Sequence, residues 1–204
     1  MKKMFALLIA LMLLPVSGLA VDAVSSATVS ITEVPEATAH ENAKTLVIWF
    51  STNDTMKAVA LTAADAMEAD SFEIVPEQPY TEADLAYYTD GRCDREQADA
   101  SARPAIVSLP ENLAQYDVIF IGYPIWHGQA PKILYTLLEN IDLSGKTIVP
   151  FCTSMSSGAG SSADNLAKLT DSSTGWQKAT RIDNNSTTDQ IRDWALSALN
   201  EATK

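Results

Sequence analysis

Asp117 to Pro131 reads DVIFIGYPIWHGQAP, and the rest of the chain can be ordered around this stretch. Val118, Ile119, Phe120 and Ile121 form a continuous apolar run of β-branched and aromatic character, the pattern of a strand covered on both faces. The run stops at Gly122. The next residues, YPIWHGQAP, make a loop carrying a large aromatic between a proline and a glycine, and Pro131 suits the first turn of a new helix. Open α/β sheets build their crevices at the carboxyl ends of strands. Trp126 therefore stands where it either stacks on a flat ligand or folds back onto the sheet as core, and this stretch alone leaves both readings open.

Working outward, TLVIWF at Thr45 to Phe50 is a second continuous apolar strand that runs into the polar loop Ser51 to Thr55. Met56, Val59, Ala60, Ala63 and Met67 then fall at helical spacing, so the unit is strand, loop, helix. A third strand is expected at Phe72 to Val75, ending at Pro76. Beyond Pro131 a helix carries Leu134, Leu137, Leu138 and Ile141 on one face, and SGK at Ser144 to Lys146 turns the chain into a strand over Thr147 to Phe151. That strand opens into TSMSSGAGSS, Thr153 to Ser162. A weak last strand near Ala179 to Ile182 precedes a helix capped by Thr187 with Gln190 three residues on, and Ile191, Trp194, Ala195 and Ala198 form its buried face. Strands alternating with helices predict an α/β fold, a parallel sheet with right-handed crossovers and helices on both faces.

The chain ahead of this domain reads differently. Lys2 and Lys3, the apolar run Phe5 to Leu14, Pro15 and the small-residue segment SGLA ending at Ala20 have the make-up of a cleavable secretory signal. The run is too short to span a bilayer comfortably, and no second apolar stretch of transmembrane length comes after it. The expectation is a signal peptide over 1–20, a flexible tether over 21–44 and one domain over 45–204. Sec-type export would then give an extracytoplasmic protein with no membrane insertion after cleavage. The net charge of −12 becomes more negative once the signal lysines are removed, which argues against nucleic acid and anionic membrane surfaces as partners. Cys93 and Cys152 lie outside any metal-ligand spacing. In an exported chain they form one disulfide or stay as two buried thiols.

In such a sheet the loops Ser51 to Thr55, Pro124 to Pro131 and Thr153 to Gly160 gather at one edge. Two are rich in hydroxyls and small residues and the third holds Trp126, so the mouth offers donors for an anion beside an aromatic wall. A nucleotide or flavin has that shape.

At this point the chain resembles the flavodoxin-like flavoproteins, especially the short-chain group that reads FS, a phosphate loop, then KxVA. Here these are Phe50, Ser51 and then Lys57, Val59 and Ala60. EIVPEQPYT at Glu73 to Thr81, SARPAI at Ser101 to Ile106, YPIWHGQAP, LSGKTIVPFCTS and IRDW in the closing helix extend the resemblance from Thr45 to about Leu199. It implies a three-layer, doubly wound, five-stranded parallel sheet of order 2-1-3-4-5, with FMN where the order reverses. Carried over by position, Ser51, Thr52, Asn53, Asp54, Thr55 and Met56 would hold the phosphate at a helix N-terminus. Pro124, Ile125, Trp126, His127 and Gly128 would lie along the ring, with Trp126 stacking, and Thr153, Ser154, Met155, Ser156, Ser157 and Gly158 would close the other side. The implied chemistry is electron transfer with a redox partner protein or a small-molecule acceptor, the flavin supplying the chemistry and the protein supplying binding and electrostatics rather than a catalytic acid or base.

The departures are specific. Where the family has Thr-Gly-x-Thr, this chain has Asn53, Asp54, Thr55 and Met56, which adds a carboxylate near the phosphate and removes a hydroxyl. If these changes abolish FMN binding, the alternative is a cofactor-free binding module on the same fold. His127 either donates to a flavin or substrate or is a bystander. The insertion holding Tyr80, Tyr87, Tyr88 and Arg92 is a lid or a cover for the sheet, with Arg103 placed to tie it to the body. Ser154, Ser156 and Ser157 lack the G-x-S-x-G elbow of a hydrolase.

Overall fold

The computed structural model describes residues 43–204, so the expected signal peptide and most of the tether lie outside the described residues. The elements are β1 (Thr45–Trp49), α1 (Asp54–Ala66), β2 (Asp70–Glu73), α2 (Glu82–Leu85), α3 (Arg92–Ala98) and, after a short 3-10 turn at Leu113–Gln115, β3 (Val118–Pro124). They continue with α4 (Lys132–Glu139), β4 (Thr147–Thr153), α5 (Ser162–Ala167), β5 (Gly175–Trp176), β6 (Thr180–Ile182) and α6 (Thr188–Ala202).

The sheet is parallel, in the order β2-β1-β3-β4-β5. β6 also pairs with β4, further along, so the fifth position is filled by two short pieces. The expected order stands. The single weak strand predicted near Ala179 is instead an interrupted one, its two halves linked by Gln177 N–H donating to Ile148 O at 2.9 Å. β2 starts two residues earlier than expected and is exposed for most of its length, as suits an edge strand.

Each central strand serves two cores because its side chains alternate between faces. Leu46, Ile48, Phe50, Ile119, Ile121 and Tyr123 face one core, closed by Ile133, Leu134 and Leu137 of α4 and by Cys93 of α3. Val47, Trp49, Val118, Phe120, Val149 and Phe151 face the other, closed by α1 and α6. Gly122 is the close approach between β3 and that second layer, since a Cβ there would lie 2.4 Å from a Phe151 ring carbon and 3.0 Å from the Met56 sulfur. Trp49 is buried and Trp194 packs on Phe120 and Phe151, as core and sheet cover. α6 opens with the expected capping box, Thr187 with Gln190. Cys93 and Cys152 are free, and burial pushes their thiols up to about 12 and about 11.

The insertion between β2 and β3 is docked along its length. Arg103 grips Glu139 of α4 through both ends of its guanidinium, at 2.7 and 2.6 Å. Gln97 of α3 donates to Trp126 O and Ala130 O at 3.1 and 3.2 Å and accepts from Lys132 N–H at 3.2 Å. One side chain thus ties the loop after β3 to the insertion and accepts from the first N–H of α4, a helix that lacks a capping side chain of its own. The insertion covers the sheet rather than forming a loose lid.

Candidate functional site

The sheet order reverses between β1 and β3, and the loops that leave their carboxyl ends, with the loop after β4, meet at one edge. The first loop is organised by its own polar groups. Asn53 N–H donates to Ser51 Oγ at 3.2 Å, Thr55 N–H donates to Asn53 Oδ1 at 3.1 Å, and the Ser51 hydroxyl donates back to Asn53 O. A helix leaves its first four N–H groups without intrahelical partners. Here Asn53 and Thr55 are provided for, leaving the N–H groups of Asp54 and Met56 at the positive end of a 13-residue helix. Thr52 and Thr55 are half-buried beside them, and Asn53 and Asp54 are exposed.

Met56 departs from its expected role. Its side chain is fully buried in the second core, against Phe151 and Gly122. Only its backbone N–H reaches the mouth, so the position offers an anion no side chain at all.

The second loop turns on His127 and Gly128, with φ of 47° and 75°. Trp126 and Gln129 exchange both backbone hydrogen bonds at 2.9 Å around them. Two left-handed residues inside a mutually bonded pair make a type I′ hairpin turn, in which glycine is favoured and histidine is tolerated better than most residues. Trp126 itself folds inward. Its side chain packs edge-on against Phe50 at 5.5 Å and Tyr80 at 5.1 Å, and the residue is 5 % exposed. The expected stacking wall is therefore core, its indole enclosed between Phe50 and Tyr80 of the insertion. The loop presents His127 and Gly128 outward, with Pro124 half-buried and Ile125 buried.

His127 Nε2 lies 2.8 Å from Asp94 Oδ1. The other Asp94 oxygen accepts from Thr89 N–H at 2.8 Å and Asp90 N–H at 3.1 Å. Desolvation raises the Asp94 carboxyl, but hydrogen bonds from the Thr89 and Tyr88 backbone and from His127 bring it below the ordinary range. The Tyr87 ring lies 4.5 Å from the imidazole and that of Tyr88 5.8 Å, while Tyr87 Oη donates to Ile125 O at 3.5 Å. Of this cluster only His127 stood out in the sequence. Asp94 carries no motif, and the two tyrosines are marked only by their place in the insertion.

The third loop is open. Met155 is 93 % exposed, Ser156, Ser157 and Gly158 are exposed, Ser154 and Ser157 pair through their hydroxyls at 2.9 Å, and Thr153 is buried at the strand end. The second and third loops are stitched together. Ile125 N–H donates to Thr153 O at 2.9 Å, Asn165 donates to Gln129 Oε1 at 2.8 Å, and Tyr123 Oη meets Ser162 Oγ at 3.0 Å in the interior. The structure thus brings all three predicted loops to one edge, with Met56 and Trp126 turned into the protein.

A family model described as Flavodoxin matches residues 44–198. The crystal structure of a candidate flavoprotein from Bacteroides eggerthii DSM 20697 is 40 % identical, with a TM-score of 0.70 over 78 % of this chain and 99 % of that one. Another, from Bacteroides uniformis ATCC 8492, is 35 % identical with a TM-score of 0.70 over 74 % of this chain and 97 % of that one. A flavoprotein from Lactobacillus acidophilus NCFM in complex with FMN shares the fold at 18 % identity, with a TM-score of 0.57 over 79 % and 99 % of the two chains. No curated protein matches the chain.

Proposed function

This chain belongs to the flavodoxin family, and we propose that it binds FMN at the crevice between β1 and β3 and works as an electron carrier or oxidoreductase outside the cytoplasm. The observation that carries the proposal is the head of α1. It stands at the point where the strand order reverses and offers the N–H groups of Asp54 and Met56 to an anion. A phosphate fits these donors, with the Thr52 and Thr55 hydroxyls beside them. The I′ turn at His127 and Gly128 and the open loop of Ser154 to Gly158 are the two walls that would flank an isoalloxazine. FMN, when bound, supplies one- and two-electron chemistry. The chain's part is to hold the phosphate, fix the two walls through the Ile125–Thr153 and Gln129–Asn165 bonds, and set the charge around the ring. A net charge of −12 disfavours an anionic reduced flavin and so lowers its potential.

The test is direct. The chain refolded with FMN and dialysed is expected to stay yellow with its flavin fluorescence quenched; a colourless product with no FMN affinity ends the proposal. The extracytoplasmic part rests on the leader-like Met1 to Ala20 and predicts that the protein isolated from its host begins at Val21. A full-length chain retained in the cytoplasm would contradict it.

One observation favours a second reading, a binding module without cofactor. Ser51 and Asn53 cap α1 by themselves, and Asp54 adds a carboxylate where the phosphate sits. On that reading wild type leaves FMN unbound and Asp54→Gly gains it.

A further inference from the structure

We propose, on the reading that FMN occupies this crevice, that Arg181 of β6 is a positioning residue for the flavin, pinning the loop Ser154 to Gly158 by its first carbonyl. The loop has little else to hold it. Its strand end is fixed where Ile125 N–H donates to Thr153 O at 2.9 Å. Beyond that point Ser157 N–H donates to Ser154 Oγ at 3.1 Å and the two hydroxyls meet at 2.9 Å, a knot tied within the loop. Among the described residues, only Arg181 reaches Ser154 to Gly158 from outside with a side-chain hydrogen bond, its Nη2 donating to Ser154 O at 3.1 Å. Packing adds little. Met155 is 93 % exposed, and the loop borders an open groove of about 630 Å³ that Arg181, Asp183, Asn184 and Gln190 also line.

The break in the fifth strand brings the arginine to this place. β5 pairs with Thr147 and Ile148 at the far end of β4, whereas β6 pairs with Phe151, Cys152 and Thr153, where the mouth begins. Arg181 is the register partner of Cys152, two residues before Ser154. The same Nη2 lies 3.0 Å from Asp183 Oδ1, so one nitrogen joins the loop after β4 to the loop after β6. Asp183 is 72 % exposed and its pairing is screened by water, while the bond to Ser154 is partly buried.

Arg181 Nε is buried with no hydrogen-bond partner among the described residues. An unpaired buried donor opposes folding. The side chain therefore lies where it does against the interest of stability, and what its placement achieves is a fixed loop. Arginine suits this task because its planar fork holds several N–H groups in set directions, whereas a lysine ammonium supplies a point charge on a flexible stem. Arg181 acts through Ser154, by setting how far this wall stands from the turn at His127 and Gly128.

The test compares wild type with Arg181→Gln, which loses charge and fork, and Arg181→Lys, which keeps the charge and loses the fork. In the cofactor-free chain the heteronuclear NOE of the Ser154 to Gly158 amides is expected to fall in both variants. The melting temperature is expected to hold or rise, because the unpaired Nε is gone. FMN affinity is expected to fall about tenfold in Arg181→Gln, the effect of one hydrogen bond from a charged group, and by a smaller factor in Arg181→Lys. Unchanged amide order in the variants, or full FMN affinity in a variant whose loop has loosened, overturns the proposal. So does wild-type affinity in Arg181→Lys beside a weakened Arg181→Gln, since charge alone would then be the cause. If Arg181→Gln does not fold, Arg181→Lys carries the same comparison of amide order and affinity. Failure of the FMN reading shows itself separately, as unquenched flavin in wild type while the loss of amide order in the variants persists.

Discussion

The rings of Tyr80 and Trp126 meet edge-on, with centroids 5.1 Å apart and planes at 74°, and this contact decides what Trp126 is for. Tyr80 is held in turn by Glu96, which accepts its hydroxyl at 2.6 Å, and by Arg92 over its ring at 4.1 Å. Trp126 thus serves the fold more than a ligand. Trp126→Ala is expected to lower stability by about 3–5 kcal/mol, the range for a large aromatic removed from a core, measured by urea unfolding. A loss of FMN affinity with stability unchanged would return the indole to the binding surface.

Met56 is likewise a core residue at the rim of the crevice. Placing a threonine there puts a hydroxyl into the apolar space around Phe151 and removes buried contacts. Met56→Thr is expected to cost about 2–4 kcal/mol and to bring no gain in FMN affinity, which unfolding and fluorescence titration would read separately.

Asp54 lies in the first turn of α1, where its charge favours the helix and opposes a phosphate. Asp54→Asn is expected to tighten FMN about fivefold, as removal of a repulsion near 1 kcal/mol in water implies. Stability falls by about 0.3–1 kcal/mol through the lost dipole interaction. Raising the salt concentration should shrink the affinity difference between the two proteins. A gain in affinity that ignores salt would locate the effect elsewhere.

The pair Arg103–Glu139 gives a pH signature. Hydrogen bonds from Arg103, more than its charge, hold the Glu139 carboxyl below the usual range. A depressed carboxyl stabilises the fold above its unfolded pKa, near 4.3, and that contribution is lost as pH falls through the lower folded value. Both side chains are about a third exposed, so the contribution is discounted to about 0.5–1 kcal/mol. Glu139→Gln is expected to melt lower than wild type at pH 7 and level with it well below pH 4. A difference that persists in acid would show that the ion pair is not its origin.

The sheet was legible because its central strands are uninterrupted apolar runs at Thr45 to Phe50 and Val118 to Ile121, and because each is followed by a helix-period segment. The crevice was legible for the same reason, since strand order dictates where loops gather. The capping box at Thr187 could be read from two residues. Trp126 could not be resolved, because its fate depends on Tyr80, which reaches it from an insertion whose helices are too short to announce themselves by periodicity. Met56 shows the opposite case. Helical spacing placed it on the buried face of α1, and that local signal was the sounder guide to its side chain than its place in a loop motif. The His127–Asp94 pair joins two segments that share no pattern, and only the docked insertion brings them together.

The interruption of the fifth strand has a bearing on how copies of this protein meet one another. β5 and β6 offer two and three residues of ladder, with Lys178 and Ala179 between them breaking the row of unpaired backbone groups. At the other edge β2 is four residues long and carries Asp70 and Glu73, and the chain just beyond it is already paired through Pro76 and Ile106. Short, charged or covered edges are poor templates for strand addition. Among the described residues, neither border of the sheet therefore invites a second chain to extend it, which disfavours strand-by-strand association of copies at either end.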